Sequence, residues 1–110
     1  MVKKAILHLH FTSMKLSKKH IRQIQDYFKT QPVLKAYLFG SYVRGEATKE
    51  SDVDLLVELD YTQRIGLHYV QMIFDLEELL HKKVDLIPED SVSKYVRPYI
   101  EAEKKIIYER

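Results

Sequence analysis

Apolar positions recur along this chain with two different periods. From Ser17 to about Thr30, Ile21, Ile24 and Phe28 fall at helical spacing, with Ser17 placed to cap the first turn and Pro32 to stop the helix. Val33 to Phe39 is a short run in which Leu34, Ala36, Tyr37, Leu38 and Phe39 are apolar; a glycine follows it, and it predicts a strand. Val53 to Leu59, centred on Leu55, Leu56 and Val57, predicts a second strand. The segment between them is polar and rich in turn formers, with room for a short helix. From Arg64 to Lys83, Ile65, Leu67, Val70, Ile73, Phe74, Leu76, Leu79 and Leu80 give an amphipathic helix of several turns. Val84 to Ile87, closed by Pro88, reads as a third strand. Ser91 to Tyr108 reads as helical, with a break at Pro98 that puts it in the first turn of a final helix whose Ile100, Ile106 and Ile107 read as core, any exposed member of that helix being open as an oligomer or partner surface. The fold class is therefore α/β (α+β): a small mixed sheet of three or four strands flanked by helices.

At the N-terminus, Ala5 to Phe11 alternates, with Leu7, Leu9 and Phe11 on one side and Ile6, His8 and His10 on the other. We read residues 1–16 as an extension or edge strand and residues 17–110 as one domain, since no repeat or linker divides them. Met14 opens an alternative start, and an intact-mass measurement of native protein would decide between them, a mass beginning at Met1 excluding it. The opening lysines and apolar residues superficially resemble a secretion signal, but His8 and His10 interrupt them and no small-residue cleavage site follows. The same histidines read as a water-facing pair rather than a metal site.

Composition narrows the function. In 110 residues there is no room for a catalytic domain plus a separate substrate-binding domain, so any large acceptor is expected to be held by something else. The net charge of +2, with both signs interspersed, argues against a dedicated nucleic-acid binder. Lys15, Lys18, Lys19 and Arg22 read as a solvated helix face. No run approaches the ~18 apolar residues of a membrane span. With no cysteine there is no disulfide, thiolate zinc site or cysteine nucleophile, and a cytoplasmic location is expected.

The chemistry concentrates between Gly40 and Asp54. Asp52 and Asp54, two apart at the start of a predicted strand, point to the same face. Paired like charges beside Leu55, Leu56 and Val57 are costly unless something positive lies between them, and a divalent cation with oxygen ligands is the usual answer. Asp85 opens another predicted strand. If the two strands are parallel neighbours, three carboxylates meet at one sheet edge, enough to hold two magnesium ions for in-line displacement at phosphorus. Upstream, Gly40 lets backbone amides approach an anion and Ser41 adds a hydroxyl donor at a helix start, as a triphosphate cradle requires. Arg44 pairs with phosphate or is a solvated surface arginine, and spacing alone leaves both open. Ser51 caps the turn before Asp52 or touches phosphate, the cap being favoured.

Together these residues resemble the DNA-polymerase-beta-like nucleotidyltransferases, and among them the minimal nucleotidyltransferases. The pattern is Gly-Ser, ten residues, Asp-x-Asp, then a third aspartate one strand later; Gly40-Ser41, Tyr42 to Ser51, Asp52-Val53-Asp54 and Asp85 fit it without a gap. The resemblance runs from about Leu16 to Arg110. It implies the nucleotidyltransferase fold and, with ATP and Mg2+ at a two-ion site, transfer of a nucleoside monophosphate to a hydroxyl with release of pyrophosphate. Asp52 and Asp54 would bind both ions, Asp85 would hold the ion that activates the acceptor and help remove its proton, and Gly40 and Ser41 would hold the triphosphate. Short stand-alone members typically accompany a HEPN-domain toxin as antitoxins, some by placing AMP on a tyrosine of that partner. No residue identifies a base-selecting pocket.

The leading expectation is thus an AMP-transferring antitoxin with ATP, Mg2+ and a HEPN-domain toxin as partners, without membrane or direct nucleic-acid binding, and with homo-oligomers open. Two rivals stand beside it: a module that neutralises its partner by occlusion, and a transferase acting on a small molecule. The eight tyrosines read as core edges and interfaces, and His68 and His81 as surface or boundary residues.

Overall fold

The computed structural model describes residues 15–110. The alternating segment Ala5 to Phe11, its histidine pair and the Met14 start lie outside the described residues. Helix α1 (Lys18–Phe28) begins where expected, the Ser17 hydroxyl accepting the His20 amide at 3.1 Å. Strand β1 (Val33–Phe39), helix α2 (Ser41–Arg44), strand β2 (Val53–Leu59), helix α3 (His68–Leu80) and strand β3 (Val84–Pro88) follow. A 3-10 turn (Glu89–Ser91) then leads to helix α4 (Arg97–Glu103) and strand β4 (Lys105–Glu109).

The sheet order is β3-β2-β1-β4. β1 is antiparallel to β2 and β4, whereas β2 and β3 are parallel. A parallel pair cannot be closed by a hairpin, and α3 supplies the crossover. Alternation along β2 gives the sheet two working faces. Val53, Leu55 and Val57 point toward α1 and α3 into the main core, where Ile24, Phe28, Met72 and Leu76 are fully buried. Leu56 points the other way, joining Phe39 and Ile100 of α4 in a second, smaller cluster. Asp54 lies between Val53 and Leu55 and so shares that second face.

Two expectations are corrected. The stretch from Ser91 to Tyr108 is not one helix: α4 has seven residues, with Pro98 in its first turn, and Lys104 turns extended (φ −62°, ψ 144°) into a fourth strand. The free edge of β1 offers Ile106, Ile107 and Tyr108 a ladder, and Tyr108 packs on Phe28 with ring centroids 5.8 Å apart. Ile106 is half exposed, so it is not core. The helix expected from Arg64 begins only at His68, after Gly66 adopts a positive φ of 41°. Its buried face is Met72, Leu76 and Leu80, at four-residue spacing, while Leu67, Val70 and Phe74 are exposed.

Two details of the helix ends matter below. α3 closes on His81, which is left-handed at φ 53° and donates its amide to the Glu77 carbonyl. Gln25 of α1 donates its side-chain amide to the carbonyl of Ile107 in edge strand β4, at 2.8 Å. Among the described residues no helix is long and apolar enough to cross a membrane.

Candidate active site

The register of the sheet gathers the aspartates. Asp54 and Asp85 are lateral partners across the parallel β2–β3 ladder, and Asp52 sits two residues earlier, just before β2 begins. In-register neighbours in a parallel pair lie about 5 Å apart and point to the same side. Asp52 and Asp85 are exposed and Asp54 is half-buried. Burial, followed by the charges of Asp85 and Asp52, pushes the Asp54 carboxyl up to about 6, and Arg44 acts in the opposite direction.

Gly40 joins this group because Phe39, the last residue of β1, is paired with Asp54. Its φ is 80°, and a Cβ built on it would lie 2.1 Å from Asp54 Oδ2. Only glycine can bring the chain this close to that carboxylate. Ser41 starts α2, and its hydroxyl has no protein partner among the described residues. The Val43 and Arg44 amides close the turn on the Gly40 carbonyl at 3.0 and 3.1 Å.

Arg44 and Ser51 are placed differently from the other candidates. Arg44 is held by two carboxylates: its Nε donates to Glu46 at 2.9 Å, and its Nη1 donates to both oxygens of Glu103 at 3.0 and 3.1 Å. Ser51 closes a surface turn, its Oγ accepting the Thr48 amide at 2.9 Å and its own amide donating to the Thr48 carbonyl. In the described structure it makes turn contacts and none to the aspartates.

Sequence reasoning missed Glu103. From the end of α4 its Oε2 accepts the Gly40 amide at 2.6 Å while the same carboxylate grips Arg44. Sixty-three positions separate it from Gly40, and no spacing rule connects them.

The donor set suits a hard divalent cation: carboxylate oxygens on adjacent strands, close enough to disfavour one another's charge. Among the described residues no three such side chains are already drawn into a coordination shell. Like charges relax apart, so a cation would have to pull these three together.

The chain as a whole is similar to known proteins. The family model described as "Nucleotidyltransferase domain" matches residues 17–108. A Methanocaldococcus jannaschii relative, named as a candidate protein adenylyltransferase, is 41% identical over 86 residues, covering 76% of this chain and 83% of its own. The protein adenylyltransferase MntA of Thermococcus cleftensis is 36% identical over 73 residues, covering 66% and 70%. The fold also superposes on a chain from the structure of a tri-AMPylated Shewanella oneidensis HEPN toxin in complex with an MNT antitoxin. The TM-score there is 0.63 at 20% identity, covering 84% of this chain and 72% of that one.

Proposed function

Because the chain belongs to the nucleotidyltransferase-domain family, we propose that it uses Mg2+ to move AMP from ATP onto a hydroxyl of a partner protein, as the cytoplasmic antitoxin of a HEPN-domain toxin. That it is a nucleotidyltransferase follows from the family, and its relatives are named protein adenylyltransferases. The observation that carries the finer reading is the Asp54–Asp85 register with Gly40-Ser41 packed against it. A toxin partner is supported by the similar fold found beside an AMPylated HEPN toxin.

Each residue then has a task. Ser41, at the start of α2, directs a free hydroxyl at the triphosphate, and Gly40 keeps the turn tight enough to bring that phosphate beside Asp54. Arg44 offers its remaining guanidinium edge to the same anion. Asp52, Asp54 and Asp85 are the residues that would hold magnesium, which when bound screens the phosphates and lowers the pKa of the attacking hydroxyl. Asp85, exposed on edge strand β3, would help take the acceptor's proton. The acceptor oxygen bonds to the α-phosphorus, the bond to the bridging oxygen breaks, and pyrophosphate leaves.

The test is label transfer from α-labelled ATP with Mg2+ into a HEPN-domain partner, comparing the wild type with the Asp52→Asn, Asp54→Asn double variant. Label on the partner with wild type alone supports nucleotidyl transfer through these carboxylates. A stable complex without label refutes it in favour of occlusion.

A further inference from the structure

We propose that Glu103 is the positioning residue of the phosphate cradle, clamping the Gly40 amide and the Arg44 guanidinium in one geometry so that Arg44 presents its free Nη2 edge to the triphosphate. The inference rests on the nucleotidyltransferase reading of Gly40, Ser41 and Arg44. It extends that reading to a residue from the far end of the chain.

Three contacts carry it. The Glu103 carboxylate takes the Gly40 amide at 2.6 Å and the Arg44 Nη1 at 3.0 and 3.1 Å, and its side chain is only 21% exposed. Charge-assisted bonds of this kind are the strong ones and fix direction as well as distance. Gly40 is thereby held from two sides: Asp54 lies against its α-carbon, and Glu103 binds its amide. This leaves the Gly40-Ser41 turn little freedom relative to the aspartates. On Arg44, Glu103 occupies Nη1 and Glu46 occupies Nε, so among the described residues Nη2 has no partner. A long arginine on a four-residue helix would otherwise sample many rotamers, and holding two of its nitrogens removes that freedom before a ligand arrives. Ile100, one turn earlier on α4, is buried against Phe39 and Leu56 and anchors the helix that delivers Glu103.

The opposite reading makes opposite predictions. If Glu103 merely filled the cradle as a resident anion, removing it would tighten binding of a phosphate ligand. Positioning instead predicts weaker binding. The experiment is equilibrium titration of the full chain with fluorescent mant-ATP and Mg2+, for wild type, Glu103→Ala, Glu103→Gln, Arg44→Ala and the Glu103→Ala, Arg44→Ala double variant, with melting temperatures recorded alongside. Glu103→Ala should raise Kd by about tenfold or more, the loss expected for charge-assisted bonds. Glu103→Gln keeps an acceptor for the Gly40 amide and should lose less. In the Arg44→Ala background, Glu103→Ala should lose the part of its effect that runs through Arg44 and keep the part that runs through the Gly40 amide, so the two effects should sum to less than their separate values. A purely structural defect would add instead, and additivity overturns the proposal. Equal or tighter binding by Glu103→Gln, which carries the test should the alanine variant not fold, also overturns it while leaving the nucleotidyltransferase reading intact. A wild-type chain that binds no mant-ATP overturns both.

Discussion

Replacing Gly40 with alanine tests the site at its tightest point. The new Cβ would lie 2.1 Å from Asp54 Oδ2, 3.0 Å from its Cγ and 3.3 Å from its Cβ. The nearest contact is about 1 Å inside what any real methyl tolerates. Rotating the carboxylate can carry Oδ2 away, but Asp54 Cβ, at 3.3 Å, is held by a backbone laddered to Phe39 on one side and Asp85 on the other, so rotation alone does not restore an unstrained contact. Either the carboxylate or the Gly40-Ser41 turn must therefore move by about 1 Å. Positive φ at a non-glycine residue adds strain, and together the two effects cost roughly 1–3 kcal/mol of stability. A displacement of that size between reacting groups costs about 100-fold in rate. AMP transfer to the partner should fall at least that far, while circular dichroism retains the native spectrum and the melting temperature drops by several degrees. A Gly40→Ala protein that keeps transfer within tenfold of wild type would refute the claim that this close approach builds the site.

Two further outcomes follow from the charges and the backbone. The Asp54 carboxyl, raised to about 6 against 3.8 in the unfolded chain, binds more protons folded than unfolded between those values, so this group lowers stability as pH rises through the window. Asp54→Asn should therefore stabilise the chain at pH 7.5 by about 1 kcal/mol after allowance for solvent screening of a half-exposed group, and the gain should vanish below pH 4. Adding Mg2+ should raise the wild-type melting temperature and leave the variant's unchanged. His81→Gly relieves a left-handed non-glycine residue at the end of α3 and should add roughly 0.5–1 kcal/mol in urea denaturation, with transfer activity unaltered.

Much of this architecture was legible in the chain. β1 and β2 begin and end where the apolar runs do, because Gly40 and the polar stretch before Asp52 leave little choice of boundary. The aspartates could be read because their chemistry depends on local spacing and a simple strand pairing. β4 could not: Ile106, Ile107 and Tyr108 are three consecutive apolar residues with no period, and no glycine marks the end of α4. The register of α3 was hidden differently. Its apolar residues circle most of the helix, so the pattern could not choose Met72, Leu76 and Leu80 over Leu67, Val70 and Phe74. Glu103 was illegible because its partners are set by tertiary docking of α4 alone.

The bond from Gln25 to the Ile107 carbonyl bears on how this molecule can be recognised. An outermost strand is ordinarily a template on which another chain can zip its backbone, largely regardless of sequence. Here a side chain from the neighbouring helix has already claimed one of the template's acceptors, and Lys105 and Glu109 place charges at the strand's two ends. A visitor would have to break that bond to extend the sheet. Association is thereby steered toward side-chain surfaces, where identity matters residue by residue.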